Sequence, residues 1–252
     1  VCGGGRMYTH TAEGQIMAVE QETGRLLWRR YFPDVYLSFT SPIYFNERLL
    51  VPQAGMKKSR LRCLDARTGQ LFWEAPFTGS PSWSRQFPPV VHGDIAIYAS
   101  GSGQYAVQGS ERAFTFKGTP VEAEGREVMS WIYSNDNPYY PRDNHPRLWA
   151  WDLETGQELR QQFAPANADV LALSPDGRFV VMNWMQEIRL WDIGEWREAG
   201  RLLGHVRYIY AIAVSPNGRW PLSGDDDGEL RFTISAGLGR LSLLTDPLPD
   251  QP

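Results

Sequence analysis

The chain has too few cysteines to be held together by them: Cys2 and Cys63 are the only two in 252 residues, which excludes a disulfide framework and a thiolate zinc site. It has no surplus of positive charge. With 25 basic and 29 acidic side chains and a net charge of −4, it lacks the electrostatic footprint of a nucleic-acid binder. Nowhere do about 18 apolar residues run together, so no segment reads as a membrane-spanning helix. There is no glycine period, and 42% of the residues are hydrophobic, which excludes collagen-like and disordered chains. No Gly-rich phosphate loop ending in Lys-Ser or Lys-Thr is present. The opening residues VCGGGRMY contain neither an initiator Met nor a signal-peptide pattern, so a piece of a longer polypeptide is expected, and compartment cannot be read from this end. Both cysteines stand in apolar, strand-like contexts. They are expected to be small buried hydrophobes, with a disulfide between them as the alternative.

What the sequence does have is internal repetition. Ala18–Trp28 reads AVEQETGRLLW and Cys63–Trp73 reads CLDARTGQLFW, with Thr23 and Thr68 45 residues apart. A third copy, AWDLETGQELR at Ala150–Arg160, keeps the frame but ends in Arg160. Its Thr155 lies 87 residues beyond Thr68, one more period plus an insertion. Each copy has the logic of a β-hairpin: an apolar strand, a carboxylate (Glu20, Asp65, Asp152), a Thr-Gly turn and a second strand. Gly24, Gly69 and Gly156 would take the positive-φ turn position, and the carboxylate would accept from exposed turn amides. Trp28 and Trp73 are too large to leave in solvent, and their expected place is between neighbouring repeats.

A second apolar-turn-apolar piece precedes each hairpin, so that each period of about 45 residues holds four short strands, the unit of a propeller blade. Towards the C-terminus, Val170–Ile193 is echoed by Ile212–Ile234, with Pro175 and Pro216 41 residues apart. Ser-Pro-Asp-Gly and Ser-Pro-Asn-Gly are turn sequences in which Pro presets φ and Gly takes the left-handed slot. Five units result: an incomplete first one to about Phe32, then about 33–79, 80–163, 164–203 and 204–245. The one helical pattern is Val121–Ile132, where Val121, Val128, Met129 and Ile132 would line a face that Gly125 weakens.

The units ending in Trp28 and Trp73 resemble the repeat of pyrroloquinoline-quinone (PQQ)-type propellers, whose docking motif is a small residue, an acidic residue, Thr-Gly and a closing Trp. The later units resemble WD repeats: Trp151-Asp152 and Trp191-Asp192 close their strands, and Gly204-His205 opens the next unit. The resemblance implies an all-β fold, a β-propeller of four-stranded antiparallel blades and an incomplete fragment of a larger ring. It places PQQ-like repeats at 1–163 with an insertion at about 104–145, WD-like repeats at 164–245 and a tail at 246–252. It also implies that His205, Ser223 and Asp227 are hydrogen-bonded structural residues. Their Trp partner is missing, because Thr233 and Ile234 stand where Trp-Asp would be expected. Quinoprotein dehydrogenases add adjacent cysteines and a Glu/Asn/Asp calcium site; here the two cysteines are 61 residues apart. The two resemblances point to different compartments, the lean being to the periplasm or cell surface.

The insertion carries the candidate ligand or partner surface. Trp131, Tyr133, Tyr139 and Tyr140 interleave with Asn135, Asp136, Asn137, Asp143 and His145, and aromatics with amides and carboxylates suit sugar, peptide or calcium sites. The plainer reading is a loop folded over a blade edge. Nothing fixes Asp136, Asp143 and His145 on one face, so no catalytic group is assigned. His10, His92 and His205 read as structural. Lys57, Lys58, Arg60 and Arg62 read as a solvated basic hairpin tip, and Asp225, Asp226, Asp227 and Glu229 as a tight turn rather than a calcium site. The expectation is a non-catalytic scaffold with an unidentified protein partner and no cofactor or metal; the alternative is a fragment of a quinone-dependent dehydrogenase.

Overall fold

The computed structural model describes residues 1–11, 14–33, 40–53, 59–77, 88–100, 105–107, 113–116, 119–122, 129–131, 147–163, 171–218, 221–236 and 240–243. All secondary structure among them is β-strand. The chain forms two compact units, Val1–Ala166 and Asn167–Pro252.

The first unit holds three four-stranded antiparallel sheets. Sheet one is β1 (Cys2–Gly3), β2 (Arg6–His10), β3 (Gln15–Glu20) and β4 (Leu26–Tyr31). The first repeat therefore has all four strands, not the incomplete set expected; its first strand is two residues long and easily missed. Sheet two is β5 (Ile43–Phe45), β6 (Arg48–Gln53), β7 (Ser59–Asp65) and β8 (Leu71–Phe77). Sheet three begins with β9 (Val90–His92) and β10 (Ile95–Ser100). Before it resumes, the chain makes two nested pairs from β11 (Tyr105–Val107), β12 (Ala113–Phe116), β13 (Thr119–Glu122) and β14 (Met129–Trp131). It then closes with β15 (Arg147–Asp152) and β16 (Glu158–Phe163). Where a helix is expected over 121–132, the described residues 121–122 and 129–131 lie on strands instead. Val121 pairs with Phe114 and Met129 with Val107.

The second unit holds two such sheets. One is β17 (Leu171–Leu173), β18 (Phe179–Trp184), β19 (Glu187–Asp192) and β20 (Arg197–Leu202); the other is β21 (Ile209–Val214), β22 (Pro221–Asp225), β23 (Leu230–Ala236) and β24 (Arg240–Leu243). Gly177 and Gly218 take φ of 70° in the two Pro turns, where the sequence places left-handed residues. Apolar side chains of both sheets form one core from Val181, Ile188, Leu190, Leu202 and Ile209, with Ile212 and Val214 packed on it.

The repeated hairpin is built the same way each time. Gly24, Gly69 and Gly156 have φ of 71°, 70° and 73°. Their amides donate to the carbonyls of Glu20, Asp65 and Asp152 at 2.8–2.9 Å. A bulge follows at one register position, Ala18/Val19, Cys63/Leu64 and Ala150/Trp151. Asp65 Oδ1 accepts from the amides of Arg67 and Thr68 at 2.7 and 2.9 Å, and Asp152 Oδ1 from those of Glu154 and Thr155 at 3.1 and 2.7 Å.

Sheet joins sheet through tryptophan. Trp28 packs in the core between sheets one and two with Tyr8, Ile16, Ala18, Leu49, Val51, Leu64 and Ala66, and its Nε1 donates to the Ala66 carbonyl at 3.0 Å. Trp73 does the same between sheets two and three, donating to the Leu153 carbonyl at 3.0 Å. Each indole lies over the turn glycine of the next sheet. A Cβ on Gly69 would come within 2.6 Å of Trp28, and one on Gly156 within 2.5 Å of Trp73. Trp149 and Trp151 stack at 5.7 Å and 4° in the second of these cores.

Two further expectations are corrected. Arg60 and Arg62 lie on β7, and Arg62 is buried, donating to Glu74 at 3.0 Å and Gln53 at 2.8 Å with Phe32 over its guanidinium. They are not a solvated tip; Lys57 and Lys58 fall outside the described residues. Cys63 is buried, but Cys2 is exposed and both thiols are free. Cys2 sits on the edge strand of sheet one, where no further strand or sheet covers it among the described residues.

Burial pushes the Cys63 thiol up to about 11, so one thiol per native chain is expected to react with an aromatic disulfide reagent near pH 8 and two after denaturation; two in the native protein would contradict this packing. Trp28→Ala should cost about 3–5 kcal/mol in urea unfolding, against about 0.5 kcal/mol or less for the exposed Arg67→Ala.

Candidate functional site

In each sheet of the first unit the turn between its first two strands and the turn between its last two share one end, as antiparallel order requires. Backbone bonds join them: Gln21 to Gly5 at 3.0 Å, Ala66 to Glu47 at 2.8 Å and Leu153 to Asp94 at 2.7 Å. The insertion leaves from the other end. β10 and β15 pair from Ile95↔Asp152 to Ser100↔Arg147, and the chain departs beyond Ser100. Tyr105↔Trp131 continues the same antiparallel sense, and Phe116↔Thr119 closes the inner pair. Of the candidate partner residues, Trp131 is placed, on β14. Tyr133, Asn135, Asp136, Asn137, Tyr139, Tyr140, Asp143 and His145 fall outside the described residues, as do Gly101–Gly103 and the 246–252 tail.

A second cluster lies in the other unit. His205, in the connection between β20 and β21, has Nδ1 2.8 Å from Asp225 Oδ2 and Nε2 2.7 Å from Ser223 Oγ. Ser223 and Asp225 are two apart on β22, so they share a face of the strand. All three are buried. The sequence reading placed Asp227 in this cluster, and Asp225 replaces it: Asp227 has passed into the turn, is exposed, and pairs with Arg207 at 2.9 Å. The signal for Asp225 was present in the two-residue spacing from Ser223.

The order serine, histidine, carboxylate is that of a nucleophilic relay, but here it is sealed. Ser223 is 2% exposed, leaving a substrate no approach. Asp225 Oδ1 is occupied by the amides of Asp227 and Glu229 at 3.2 and 3.0 Å, and Asp226 donates to the Tyr208 carbonyl at 3.0 Å. The cluster ties the connection before β21 to the turn after β22. His205, Asp225 and Glu229 present ligand atoms within 4.8 Å of one another, yet both His nitrogens are already bonded and Glu229 pairs with Arg231 at 2.7 Å. A cation would have to displace these bonds. His10 and His92 end β2 and β9; burial holds His10 below its ordinary value.

Other carboxylates serve turns. Asp152 is held below the usual carboxylate range by the hydroxyl and amide of Thr155, Asp176 by the Ser174 hydroxyl and the Arg178 amide, and Glu20 by the Thr23 hydroxyl and Arg25. For Asp225, burial pushes upward, but the His205 hydrogen bond and the Glu229 and Asp227 amides outweigh it and leave the carboxyl below its ordinary value. Its contribution to stability is therefore full above the ordinary Asp value of about 3.9 and is lost as pH falls through its lower folded value. Asp225→Asn should destabilise the protein at pH 7 and flatten the acid side of the stability–pH curve measured by urea midpoints; an unchanged acid slope would contradict this role.

Comparison with known proteins fits this geometry. By structure the chain is similar to BamB from Moraxella catarrhalis, with a TM-score of 0.57 and 12% identity over 96% of this chain and 61% of that one. It is also similar to a europium-containing methanol dehydrogenase, with a TM-score of 0.53 and 14% identity over 82% of this chain and 41% of that one. At these identities the likeness shows the fold, an all-β propeller of four-stranded blades. Small ribosomal subunit protein RACK1 of Caenorhabditis elegans is 28% identical over 78 residues, 31% of this chain and 22% of RACK1, a distant WD-repeat similarity. The chain thus spans less than two thirds of each of these proteins. Residues 1–162 match the family described as outer membrane protein assembly factor BamB, the stretch that contains the three Thr-Gly hairpins and both docking tryptophans. On that match, the chain belongs to the BamB family of PQQ-repeat β-propeller proteins.

Proposed function

We propose that the chain is a non-catalytic protein-binding scaffold serving the assembly of outer-membrane proteins, and that it meets its partner through the insertion between β10 and β15. The observation that carries the reading is how the repeat residues are used. Trp28, Trp73, Gly69, Gly156 and the turn carboxylates are committed to joining strands and sheets. The sealed cluster of His205, Ser223 and Asp225 holds a loop in place. Recognition then falls to connections, and the insertion, leaving the end of sheet three opposite the docking turns, is the largest of them. Outer-membrane assembly is the role that the family's description names, and a periplasmic or cell-surface location accords with it.

Quinone-dependent oxidation is the other function hosted by such propellers. Here the adjacent-cysteine feature of the quinoprotein dehydrogenases has no counterpart: Cys63 is buried in a sheet–sheet core and Cys2 is exposed on an edge strand.

The chain, immobilised, is expected to capture a component of the outer-membrane-protein assembly machinery from a detergent-solubilised bacterial envelope. Deletion of Gly118–Asn144 should abolish capture while leaving the β-sheet circular dichroism intact; undiminished capture by the deletion variant would overturn the role of the insertion. Addition of PQQ with Ca²⁺ should leave tryptophan fluorescence unchanged, and saturable quenching with dye reduction would overturn the non-catalytic reading.

A further inference from the structure

We propose that Asn217 is a site of spontaneous covalent modification, at which the side-chain amide is converted to a carboxylate through a ring closed by the Gly218 backbone nitrogen, and that the aspartate so formed gives sheet five the turn that sheet four already has. Asn217-Gly218 is the one Asn-Gly pair in the sequence. It lies between β21 and β22, with Asn217 exposed. The corresponding turn between β17 and β18 reads Ser174-Pro175-Asp176-Gly177 against Ser215-Pro216-Asn217-Gly218. The two are built alike. Gly177 and Gly218 both have φ of 70°, and their amides donate to the carbonyls of Ser174 and Ser215, each at 2.8 Å. The Ser174 hydroxyl donates to Asp176 Oδ1 at 2.6 Å, and the Ser215 hydroxyl donates to Asn217 Oδ1 at 2.7 Å. A carboxylate and an amide thus occupy one geometry in the two sheets.

Both reacting groups are held by Ser215. Its hydroxyl polarises the side-chain carbonyl of Asn217, and its backbone carbonyl holds the Gly218 N–H. Gly218 has no side chain to crowd that nitrogen. Exposed turns open at far less cost than the fold as a whole, and opening of this one releases the nitrogen from Ser215. The Gly218 nitrogen then attacks Asn217 Cγ, the bond from Cγ to the side-chain nitrogen breaks, and that nitrogen leaves as ammonia with the proton that Gly218 gives up. Water adds across one of the two carbon–nitrogen bonds of the ring. Opening at Cγ leaves aspartate, and opening at the backbone carbonyl leaves isoaspartate, whose main chain is one carbon longer. Aspartate suits the turn. In sheet four Asp176 Oδ1 accepts from the Arg178 amide at 3.1 Å as well as from Ser174, and an ionised acceptor makes the stronger bonds. Isoaspartate does not suit it, because the longer main chain displaces Gly218, where a Cβ would stand 3.7 Å from Pro175 Cδ of the neighbouring turn. Asn46 supplies the contrast within the same chain. It too is exposed in a tight turn, at φ 46°, but the residue after it is Glu47, whose carboxylate is fastened to Arg6 and Tyr44.

The test incubates the full folded chain in ¹⁸O-labelled water at mildly alkaline pH and follows each asparagine by proteolysis and tandem mass spectrometry. Asn217 is expected to lose its amide nitrogen and take up ¹⁸O, as a mixture of aspartate and isoaspartate, at a rate that rises with pH. Asn46 in the same sample should react slower by about tenfold or more. An Asn217 that keeps its amide in the folded chain, or that reacts no faster than Asn46, would overturn the proposal. Asn217→Asp, which makes the product directly, should resist urea at pH 7 at least as well as the parent chain. A lower urea midpoint for this variant would overturn the fit of the aspartate to the turn.

Discussion

The structure of the first unit depends on one contact, an indole laid over a glycine that is itself held in a left-handed turn. The glycine answers two demands at once. The Thr-Gly turn needs a residue with positive φ, and the indole of the preceding sheet needs a surface with no Cβ. Local chain reversal and sheet-to-sheet packing are thereby coupled at a single residue. The hydrogen bond from the indole to a turn carbonyl satisfies a buried donor that would otherwise cost roughly 1–3 kcal/mol, and it fixes the depth at which one sheet sits on the next. The carboxylate that opens each turn organises the loop that offers this carbonyl.

The third hairpin keeps the turn but ends in Arg160 instead of tryptophan. In the next sheet the corresponding turn position is Trp196, at φ 55°, a conformation that costs a bulky residue free energy and that the other copies give to glycine. Trp196 meets Trp191 edge-to-face at 6.2 Å and is 9% exposed, so burial offsets the strain. Within the second unit the problem of fixing neighbouring sheets is met by other means. There a buried polar cluster, His205 with Ser223 and Asp225, fastens the connecting segment to the sheet that follows it. Such a network is stabilising only while every member is bonded, and here each polar atom of the cluster has a partner.

What could be read from the sequence followed from how local each constraint is. The Thr-Gly hairpins and the inter-sheet place of Trp28 and Trp73 were legible because turn chemistry and residue size repeat in frame. Asp225 was passed over for Asp227 because a run of three aspartates hides which one stays on the strand; the alternation from Ser223 decides it. The apolar spacing at Val121–Ile132 imitates a helix because a helix period and two short strands broken by a turn place apolar residues at overlapping positions. Cys2 resembles Cys63 in composition of its surroundings, but burial of a strand depends on whether a neighbouring sheet covers it, which no local pattern encodes. The aromatic and amide content of the insertion likewise names the kinds of contact available without bringing any two of those residues together.

The same economy bears on function. In the described hairpins the aromatic residues are used in packing and the carboxylates in turns, and a catalytic group would have to be both activated and reachable. Among the described residues a serine, histidine and aspartate stand in series, and they show the point: the burial that makes their hydrogen bonds worth having also closes them to a substrate. Surfaces escape this conflict. The strands inserted into sheet three pair with one another, outside the four-stranded sheet that carries them, and on the scaffold reading proposed above it is such connections that are left to meet a partner.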